Sequence, residues 1–200
     1  MRQKSKQRFK TVKQYHGFFK INEYQVTHKL FNGAYSDSLS REIFERGDAV
    51  VVVPYDPIKD QVVLVEQFRA GALKGDNSPW LLEFVAGMFD DNESPEDVAI
   101  REAQEEANLI IEKSALIPVM KFFPSPGGTS ECIHLYAAKV DATNVGGIYG
   151  LPEEGEDILV HVMARTKALA LLAEGKIYNA ATVIGLQWLA LNYQQFEPTR

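Results

Sequence analysis

Residues 87–109 read GMFDDNESPEDVAIREAQEEANL, a stretch with eight acidic side chains and one basic side chain. Ser94 is a favourable N-cap residue, and Pro95 suits the first helical position. Asp97 supplies the acidic side chain of a capping box. Together these residues predict a helix that begins at about Ser94.

Three glutamates share one face of that helix, because Glu102 lies four residues before Glu106 and three before Glu105. Like charges at this spacing repel one another and weaken an isolated helix. One interpretation is a solvated, charged face. The other is a compensating cation, since carboxylate oxygens are ligands that Mg²⁺ prefers. The neighbouring face is apolar and suits packing on a sheet, with Ala99, Ile100, Ala103, Ala107 and Ile110.

The composition is that of one globular domain, or of one domain with an appendage. The 200 residues are 46% hydrophobic, which allows a sizeable core without disulfides or structural metals. The single cysteine, Cys132, allows no internal disulfide and fits a reducing cytoplasm. No apolar run approaches the roughly 20 residues of a membrane span. We therefore expect a cytoplasmic protein without a membrane partner.

The net charge of −6 is unevenly distributed. Eight acidic residues lie in 87–109 and four in EEGED at 153–157, while the rest of the chain carries 20 basic and 15 acidic residues. This distribution suits a metal site that works on a phosphate-bearing ligand, and we do not expect nucleic-acid binding. Candidates for a general base in the second acidic stretch are Glu153, Glu154, Glu156 and Asp157.

The N-terminal region is predicted to hold a basic arm and a β-hairpin. Residues 1–13 carry no acidic side chain, so we expect a solvated or mobile tail, with a nucleic-acid-binding arm as the alternative. Strands are predicted over 18–30 and 36–46, around the turn signal Asn32-Gly33. Because an isolated hairpin is marginal in water, it should pack on something, such as a second subunit.

The remaining sequence alternates strand patterns with a few helices. Two β-branched runs, at 49–54 and 61–68, predict a buried hairpin. Residues 141–156 are predicted to form a glycine-rich, acidic loop. Further strands are predicted at 80–86, 115–123, 131–140 and 158–163, and further helices at 166–174 and 179–193. The pattern indicates a layered fold of the α/β or α+β class.

The order of residues in the 87–109 stretch resembles the Nudix box, G-x5-E-x7-R-E-U-x-E-E-x-G-U, in which U is aliphatic. Ala103 is a small occupant of an aliphatic position, and Asn108 replaces the second glycine. Asparagine is the next-best residue for a left-handed helix stop, so we expect this departure to matter little. The box positions are otherwise filled by Gly87, Glu93, Arg101, Glu102, Glu105, Glu106 and Leu109.

Other motifs extend the resemblance, from about Tyr15 onward, to the ADP-ribose pyrophosphatases of the Nudix family. They are REIFERG at 41–47, VEQFR at 65–69, LLEFVAG at 81–87, SPGGTSE at 125–131, EDI at 156–158 and IGLQWLAL at 184–191. The resemblance implies a Nudix-like α/β/α sandwich with a mixed sheet over 48–200. It also implies an N-terminal antiparallel β-hairpin region over 1–47 that dimerises.

The resemblance further implies a cofactor and the residues around it. The cofactor is Mg²⁺, with Mn²⁺ as its substitute, and the implied ligands are the main-chain carbonyl of Ala86 and the carboxylates of Glu102, Glu106 and Glu156. Glu154 occupies the position of the catalytic base, and Glu153 is its nearest rival because loop lengths vary among relatives. Glu105 and Arg101 complete the implied catalytic set.

Substrate contacts are implied in the same way. Phe18 and Phe19 are expected to stack on adenine, offered across a homodimer by swapped N-terminal hairpins. Arg69 is expected to meet a phosphate, for which a guanidinium fork is well shaped. The other implied contacts are Arg41, Glu42, Arg46, Ser125, Pro126, Gly127 and Glu131.

The implied function is Mg²⁺-dependent hydrolysis of the diphosphate bond of ADP-ribose to AMP and ribose 5-phosphate. Three alternatives stay open. The substrate could be another nucleoside-diphosphate sugar such as GDP-mannose, the chain could be a non-catalytic Nudix-like nucleotide sensor, or the basic N-terminus could serve nucleic-acid processing. The intact pairs Arg101-Glu102 and Glu105-Glu106 argue against a sensor, which has no need to retain them.

Overall fold

The computed structural model describes residues 8–89 and 92–196, which form two compact units. The first unit consists of residues 8–47 and 123–132, and the second of residues 48–122 and 133–196. Separate domains over 1–47 and 48–200 stay a prediction, and the units differ from those limits by the segment Phe123–Cys132. No helix among the described residues is both long enough and apolar enough to cross a membrane.

The first unit is built on a three-stranded antiparallel sheet. Its strands are β1 (Arg8–His16), β2 (Lys20–Thr27) and β3 (Leu39–Glu45), and β2 lies in the middle. The predicted hairpin is present as β2 and β3. Gly33, in the connection between them, has a φ of 95°, a conformation that favours glycine.

The prediction of a solvated tail over residues 1–13 is wrong for 8–13, which belong to β1, and residues 1–7 lie outside the described part of the chain. β1 pairs with β2 from Arg8 opposite Thr27 to His16 opposite Lys20. Strand pairing is made by backbone N–H and C=O groups, which every non-proline residue carries. The basic composition was therefore a poor guide to the structure of this segment.

The second unit contains an eight-stranded sheet. Its strands are β4 (Ala49–Asp56), β5 (Gln61–Phe68), β6 (Trp80–Glu83), β7 (Val85–Met88), β8 (Leu116–Phe122), β9 (Ile133–Lys139), β10 (Gly147–Tyr149) and β11 (Ile158–Ala164). They run in the order β10-β11-β5-β4-β9-β8, while β6 pairs with β5 and β7 with β4. The sheet is mixed, because β4 and β9 are parallel and the other pairs are antiparallel.

Helices cover both faces of this sheet: α1 (Pro95–Ala107) on one face, and α2 (Arg165–Ala173) and α3 (Ala180–Asn192) on the other. Successive side chains of a strand point to opposite faces. Accordingly, Val50 and Val52 of β4 join the core cluster that includes α1. Val51 and Val53 join the cluster that includes α2 and α3. The second unit is an α/β/α sandwich, so the predicted fold class is confirmed.

Two elements of the second unit differ from the prediction. The strand predicted at 80–86 is split at Phe84, because β6 pairs with β5 before this residue and β7 pairs with β4 after it. The loop predicted at 141–156 contains β10, which pairs with β11. The change of partner at Phe84 matters for the site, because β7 then runs beside α1.

α1 begins and ends where its sequence predicts. Oγ of Ser94 accepts a hydrogen bond from the backbone N–H of Asp97 at 3.2 Å, and Pro95 is the first helical residue. Asn108 ends the helix in the left-handed conformation, with φ 51° and ψ 34°. The departure at the second glycine of the box is thus a working helix stop.

Two substitutions at Asn108 test this stop. We expect Asn108→Ala to lower the free energy of unfolding by about 1 kcal/mol, because alanine is strained in the left-handed conformation. The matched change Asn108→Gly should leave the stability unchanged or slightly higher. Urea unfolding followed by circular dichroism measures both, and equal effects of the two changes would contradict the role of Asn108 as a left-handed cap.

Candidate active site

Glu106 ties α1 to the neighbouring strand β7. Its side chain is buried, with 2% of the residue exposed, and its Oε2 accepts a hydrogen bond from the backbone N–H of Ala86 at 3.0 Å. Its Oε1 lies 3.5 Å from Nε2 of Gln67, which is buried in β5. Two positions of the predicted metal site, Ala86 and Glu106, are therefore adjacent.

Gly87 lets the side chain of Glu102 lie against β7. A Cβ atom at position 87 would stand 1.8 Å from Oε1 of Glu102 and 1.9 Å from its Cδ. Gly87 does not have a positive φ. The first glycine of the box is therefore required by the space that the Glu102 carboxylate occupies, and not by the backbone conformation.

Arg101 uses all five of its N–H groups within the second unit. Nε and Nη2 each donate to one carboxylate oxygen of Glu93, both at 3.1 Å. Nη1 donates to Glu102 at 2.8 Å and to Glu105 at 3.1 Å. The fifth bond runs from Nη2 to the main-chain oxygen of Met88 at 3.3 Å. Arg101 therefore holds three box glutamates in place.

Two carboxyl groups of the cluster bind protons more strongly than an ordinary glutamate. Burial, followed by the negative charges of Glu102 and Glu156, raises the pKa of Glu106 to about 8. Burial also raises the pKa of Glu102 to about 7, against the lowering effect of Arg101. Crowded carboxylates of this kind are suitable ligands for a divalent cation.

The acidic loop contributes one anchored glutamate and two exposed ones. Oε2 of Glu156 accepts a hydrogen bond from the backbone N–H of Leu151 at 3.0 Å. Gly150, with a φ of 103°, allows close packing there, because a Cβ atom at this position would stand 2.7 Å from Cβ of Glu156. Glu153 and Glu154 are exposed in a short 3-10 turn. Which of them is a base stays a prediction.

Arg69 follows β5 and is paired with a buried carboxylate. Its Nε and Nη2 donate to Oε2 of Glu83 at 3.0 and 2.8 Å, and Glu83 is 3% exposed. The charges of Glu106 and Glu156 also act on Arg69 and contribute to raising its pKa. The predicted contact of Arg69 with a phosphate stays a prediction.

In the first unit, four predicted substrate residues form a group. The rings of Phe18 and Phe19 meet edge to face with centroids 4.8 Å apart. The guanidinium carbon of Arg46 lies 5.7 Å from the centre of the Phe19 ring. Nη1 of Arg46 lies 3.3 Å from Oε1 of the buried Glu131. The group combines an aromatic pair with a guanidinium and a carboxylate.

The loop with the predicted substrate residues Ser125, Pro126 and Gly127 is held by backbone bonds to β3. The N–H of Phe44 donates to the main-chain oxygen of Gly128 at 2.8 Å, and the N–H of Ser130 donates to that of Phe44 at 3.3 Å. The N–H groups of Gly128 and Thr129 both donate to the oxygen of Ser125 at 3.0 Å. These bonds define the turn that contains the exposed residues Ser125, Pro126 and Gly127.

Two predicted substrate residues stand apart from the others of the first unit. Arg41 and Glu42 are exposed on β3, and Nη1 of Arg41 donates to the main-chain oxygen of Ser40 at 2.7 Å. Among the described residues, Arg46 forms its ion pair with Glu131 and not with a residue of this exposed pair. Their predicted contact with substrate stays a prediction.

The roles of Glu93 and Gln67 were missed in the sequence. Glu93 was recognised only as a position of the box. It lies before the start of α1 and accepts two hydrogen bonds from Arg101, which lies within the helix. The available signal for Gln67 was a polar residue inside the apolar strand β5. Glu83 carries the same signal, and it is buried in the structure.

Comparisons with known proteins agree on the family. The model of the NUDIX domain matches residues 45–180. An ADP-ribose pyrophosphatase of Escherichia coli (strain K12) is 53% identical over 180 residues, which are 90% of this chain and 85% of that protein. A GDP-mannose pyrophosphatase of Cronobacter sakazakii is 37% identical over 156 residues, with 76% and 78% of the two chains covered.

A solved structure shares the fold. It is a crystal structure of an ADP compounds hydrolase, with a TM-score of 0.70, 19% sequence identity, and coverage of 98% of this chain and 99% of that chain. Hydrolases of the Nudix family generally use divalent metal ions, and the crowded carboxylates of the second unit fit such an ion. The matches confirm the resemblance seen in the sequence: the chain belongs to the NUDIX domain family and is a Nudix hydrolase.

Proposed function

We propose that this protein hydrolyses the diphosphate bond of ADP-ribose to AMP and ribose 5-phosphate, with Mg²⁺ as its cofactor. The observation that carries the proposal is that Glu102 and Glu106 lie one turn apart on α1 beside β7, where Gly87 leaves room for Glu102 and the N–H of Ala86 donates to Glu106. Glu156 of the acidic loop is proposed to join them in a cluster, since its charge contributes to the raised pKa of both. The cluster does not select among diphosphates. The substrate is supported by the 53% identity to an ADP-ribose pyrophosphatase over 90% of this chain.

The donor set of the cluster fits Mg²⁺, and Mn²⁺ as its substitute. All the proposed ligands are oxygen atoms, which hard divalent ions prefer. When bound, the ion supplies charge neutralisation for the diphosphate and lowers the pKa of water. The proposed ligands are the carboxylates of Glu102, Glu106 and Glu156 and the main-chain carbonyl of Ala86.

A carboxylate of the acidic loop serves as general base in this proposal. Water attacks one phosphorus, the bond from that phosphorus to the bridging oxygen breaks, and the proton of the water passes to Glu154 or to Glu153. Both side chains are exposed in the 3-10 turn, so they can approach a bound substrate. Glu156 is hydrogen-bonded to the backbone of Leu151 and is better suited to holding an ion.

Arg101 and Glu105 support the reaction without touching the substrate. Because the five N–H groups of Arg101 are already bonded, this residue orients Glu93, Glu102 and Glu105. Arg69 is proposed to contact a phosphate, since its side chain is 42% exposed beside its bonds to Glu83. Orientation of this kind is a large part of catalysis at diphosphates, where reacting groups must be correctly placed.

The first unit is proposed to bind the nucleoside end of the substrate as part of a cytoplasmic homodimer with swapped N-terminal regions. Phe18 is 87% exposed, and its ring together with that of Phe19 suits stacking on adenine. Arg46 and Glu131 lie beside them and offer a donor and an acceptor. The proposed ribose contacts are the backbone groups around Ser125, Pro126 and Gly127, and Arg41 and Glu42 complete the set.

A second candidate substrate is GDP-mannose, which is favoured by the relative that is 37% identical over 156 residues. We rank it below ADP-ribose because the 53% identity to an ADP-ribose pyrophosphatase is higher and extends over more of the chain. The two substrates differ in base and sugar but share the diphosphate. The cluster would therefore serve either one.

Initial rates on both substrates with Mg²⁺ test the proposed function. We expect ADP-ribose to be cleaved faster than GDP-mannose, and Glu106→Gln to lower kcat by roughly a hundredfold or more because a charged metal ligand is lost. The matched control is Glu112→Gln, a change at an exposed residue beyond α1, which should retain the rate of the original protein. A preference for GDP-mannose would overturn the substrate, and near-normal turnover of Glu106→Gln would overturn the metal assignment.

Gly87→Ala tests the space reserved for Glu102. The added Cβ would overlap the carboxylate at 1.8 Å, so Glu102 must swing away while the backbone of β7 stays in place. We expect a folded protein with Mn²⁺ affinity, measured by calorimetry, lowered by about tenfold or more. Gly71→Ala is the control, because a Cβ atom there meets nothing within 4 Å. Unchanged Mn²⁺ affinity in Gly87→Ala would contradict the role of Glu102 as a ligand.

The raised pKa values predict how the metal-free protein responds to pH. Between pH 6.5 and 8.5 the folded state holds protons on Glu106 (pKa about 8) and Glu102 (pKa about 7) that the unfolded state has released. Stability is therefore lost as pH rises through this window, by on the order of 1–2 kcal/mol for Glu106. Below pH 6.5 the lowered pKa of His134 makes the folded state less stable as the pH falls, which is the opposite trend. The measurement is therefore made above pH 6.5.

Thermal unfolding with and without Mg²⁺ measures this effect. We expect Mg²⁺ to raise the Tm more at pH 8.5 than at pH 6.5, because the ion binds the deprotonated cluster. Glu106→Gln, which removes the group with the higher pKa, should flatten the pH dependence of the metal-free protein. An equal Mg²⁺ effect at both pH values would contradict the assignment.

A further inference from the structure

Glu83 is a buried carboxylate that the proposed reaction does not use. It lies at the end of β6, is 3% exposed, and sits opposite Val65 of β5. A buried charge is unfavourable unless it is paired and hydrogen-bonded. Glu83 is both paired and hydrogen-bonded, and its two oxygens have different partners.

The two oxygens of Glu83 have different partners. Oε2 accepts both hydrogen bonds from Arg69, from Nε at 3.0 Å and from Nη2 at 2.8 Å. Oε1 accepts a hydrogen bond from Nδ2 of Asn179 at 3.0 Å. Oε2 thus fixes the plane of the guanidinium, while Oε1 fixes the carboxylate itself.

Asn179 is in turn held by the start of α3. Its Oδ1 accepts hydrogen bonds from the backbone N–H of Thr182 at 3.1 Å and from the hydroxyl of Thr182 at 3.2 Å. Oγ1 of Thr182 also accepts from the backbone N–H of Phe84 at 3.1 Å. The carboxylate of Glu83 is therefore bonded to the N-cap residue of α3, and the same end of α3 is bonded to the residue that follows Glu83.

Arg69 is only partly covered by this arrangement. Its side chain is 42% exposed, and within the described part of the chain its Nη1 has no hydrogen-bond partner. Burial alone would lower the pKa of the guanidinium, and the bonds and charge of Glu83 outweigh that effect, so the pKa is raised. The guanidinium is thus charged, its Nε and Nη2 are bonded to Glu83, and its Nη1 is available to a ligand.

We propose that Glu83 is a positioning residue, which holds Arg69 with its open Nη1 edge toward a phosphate of the substrate. The inference rests on the proposed function, in which Arg69 meets the diphosphate. An arginine side chain carries about 2 kcal/mol of rotamer entropy, and a guanidinium held in advance does not lose that freedom when the phosphate binds. The competing interpretation is an ion pair that only fastens α3 to β6.

Four variants separate these two interpretations. Arg69→Gln removes the charge but keeps an N–H that can reach Glu83, so the buried carboxylate is not left alone. Glu83→Gln keeps the size but cannot accept hydrogen bonds on both arms. The double variant Arg69→Gln/Glu83→Gln completes the cycle. Asp60→Asn is the control, since it weakens a separate arginine–carboxylate pair, in which Nε and Nη2 of Arg165 donate to Asp60 at 2.7 and 3.0 Å, and leaves Glu83 and Arg69 unchanged.

The measurements are KM and kcat for ADP-ribose, the dissociation constant for ADP by calorimetry, and the Tm. We expect Glu83→Gln to raise KM and to weaken ADP binding by roughly tenfold, with a smaller change in kcat, because the charged contact becomes disordered. The double variant should be no worse than Arg69→Gln. Asp60→Asn should lower the Tm and keep KM within about twofold, since the pair of Glu83 and Arg69 remains.

Each outcome decides the inference. Independent, multiplying effects of the two single changes on KM and on ADP binding would overturn it, as would a Glu83→Gln variant with unchanged affinity. If the original protein does not cleave ADP-ribose, the proposed function is wrong, and ADP binding by the same variants still decides whether Glu83 acts through Arg69. If Glu83→Gln lowers only the Tm, as Asp60→Asn is expected to do, the pair is structural and the inference is wrong.

Discussion

The burial of carboxylates that also repel one another is the constraint on which the active-site architecture depends. Glu102 and Glu106 lie one turn apart on α1, burial is the main cause that raises the pKa of both, and the charge of Glu156 from the acidic loop adds to it. Carboxylates placed close together and away from water are unfavourable for the stability of the folded protein. Each surrounding feature of the second unit keeps these side chains together, and a divalent cation supplies the charge that would make their proximity favourable.

The features that hold the cluster act at different levels. At the backbone level, Ser94 and Asn108 define where α1 begins and ends, which sets the directions of its side chains. At the level of packing, Gly87 leaves room for Glu102. At the level of hydrogen bonding, Arg101 distributes its five N–H groups over three glutamates and one main-chain oxygen. The sheet contributes through the split at Phe84, which brings β7 alongside α1.

Much of this could be predicted from local sequence. The start of α1, its asparagine stop and the limits of β5 follow from capping chemistry and β-branched runs, which act within a few residues. Other features depend on residues far apart in the chain. The partner change at Phe84, the strand β10 and the inclusion of 8–13 in β1 depend on strand pairing, which no local pattern specifies. The hydrogen bonds that join Arg69, Glu83 and Asn179 could not be predicted for the same reason. An acidic residue in an apolar strand shows only that a partner is needed, and not which residue supplies it.

The central claim is that the carboxylates of α1 and of the acidic loop together hold a divalent ion. Crystals of the protein soaked with Mn²⁺ and measured at a wavelength with strong manganese anomalous scattering would test it directly. We expect an anomalous peak within ligand distance of carboxylate oxygens of Glu102, Glu106 and Glu156. A peak elsewhere, or a Mn²⁺-saturated crystal with no peak beside these three residues, would contradict it.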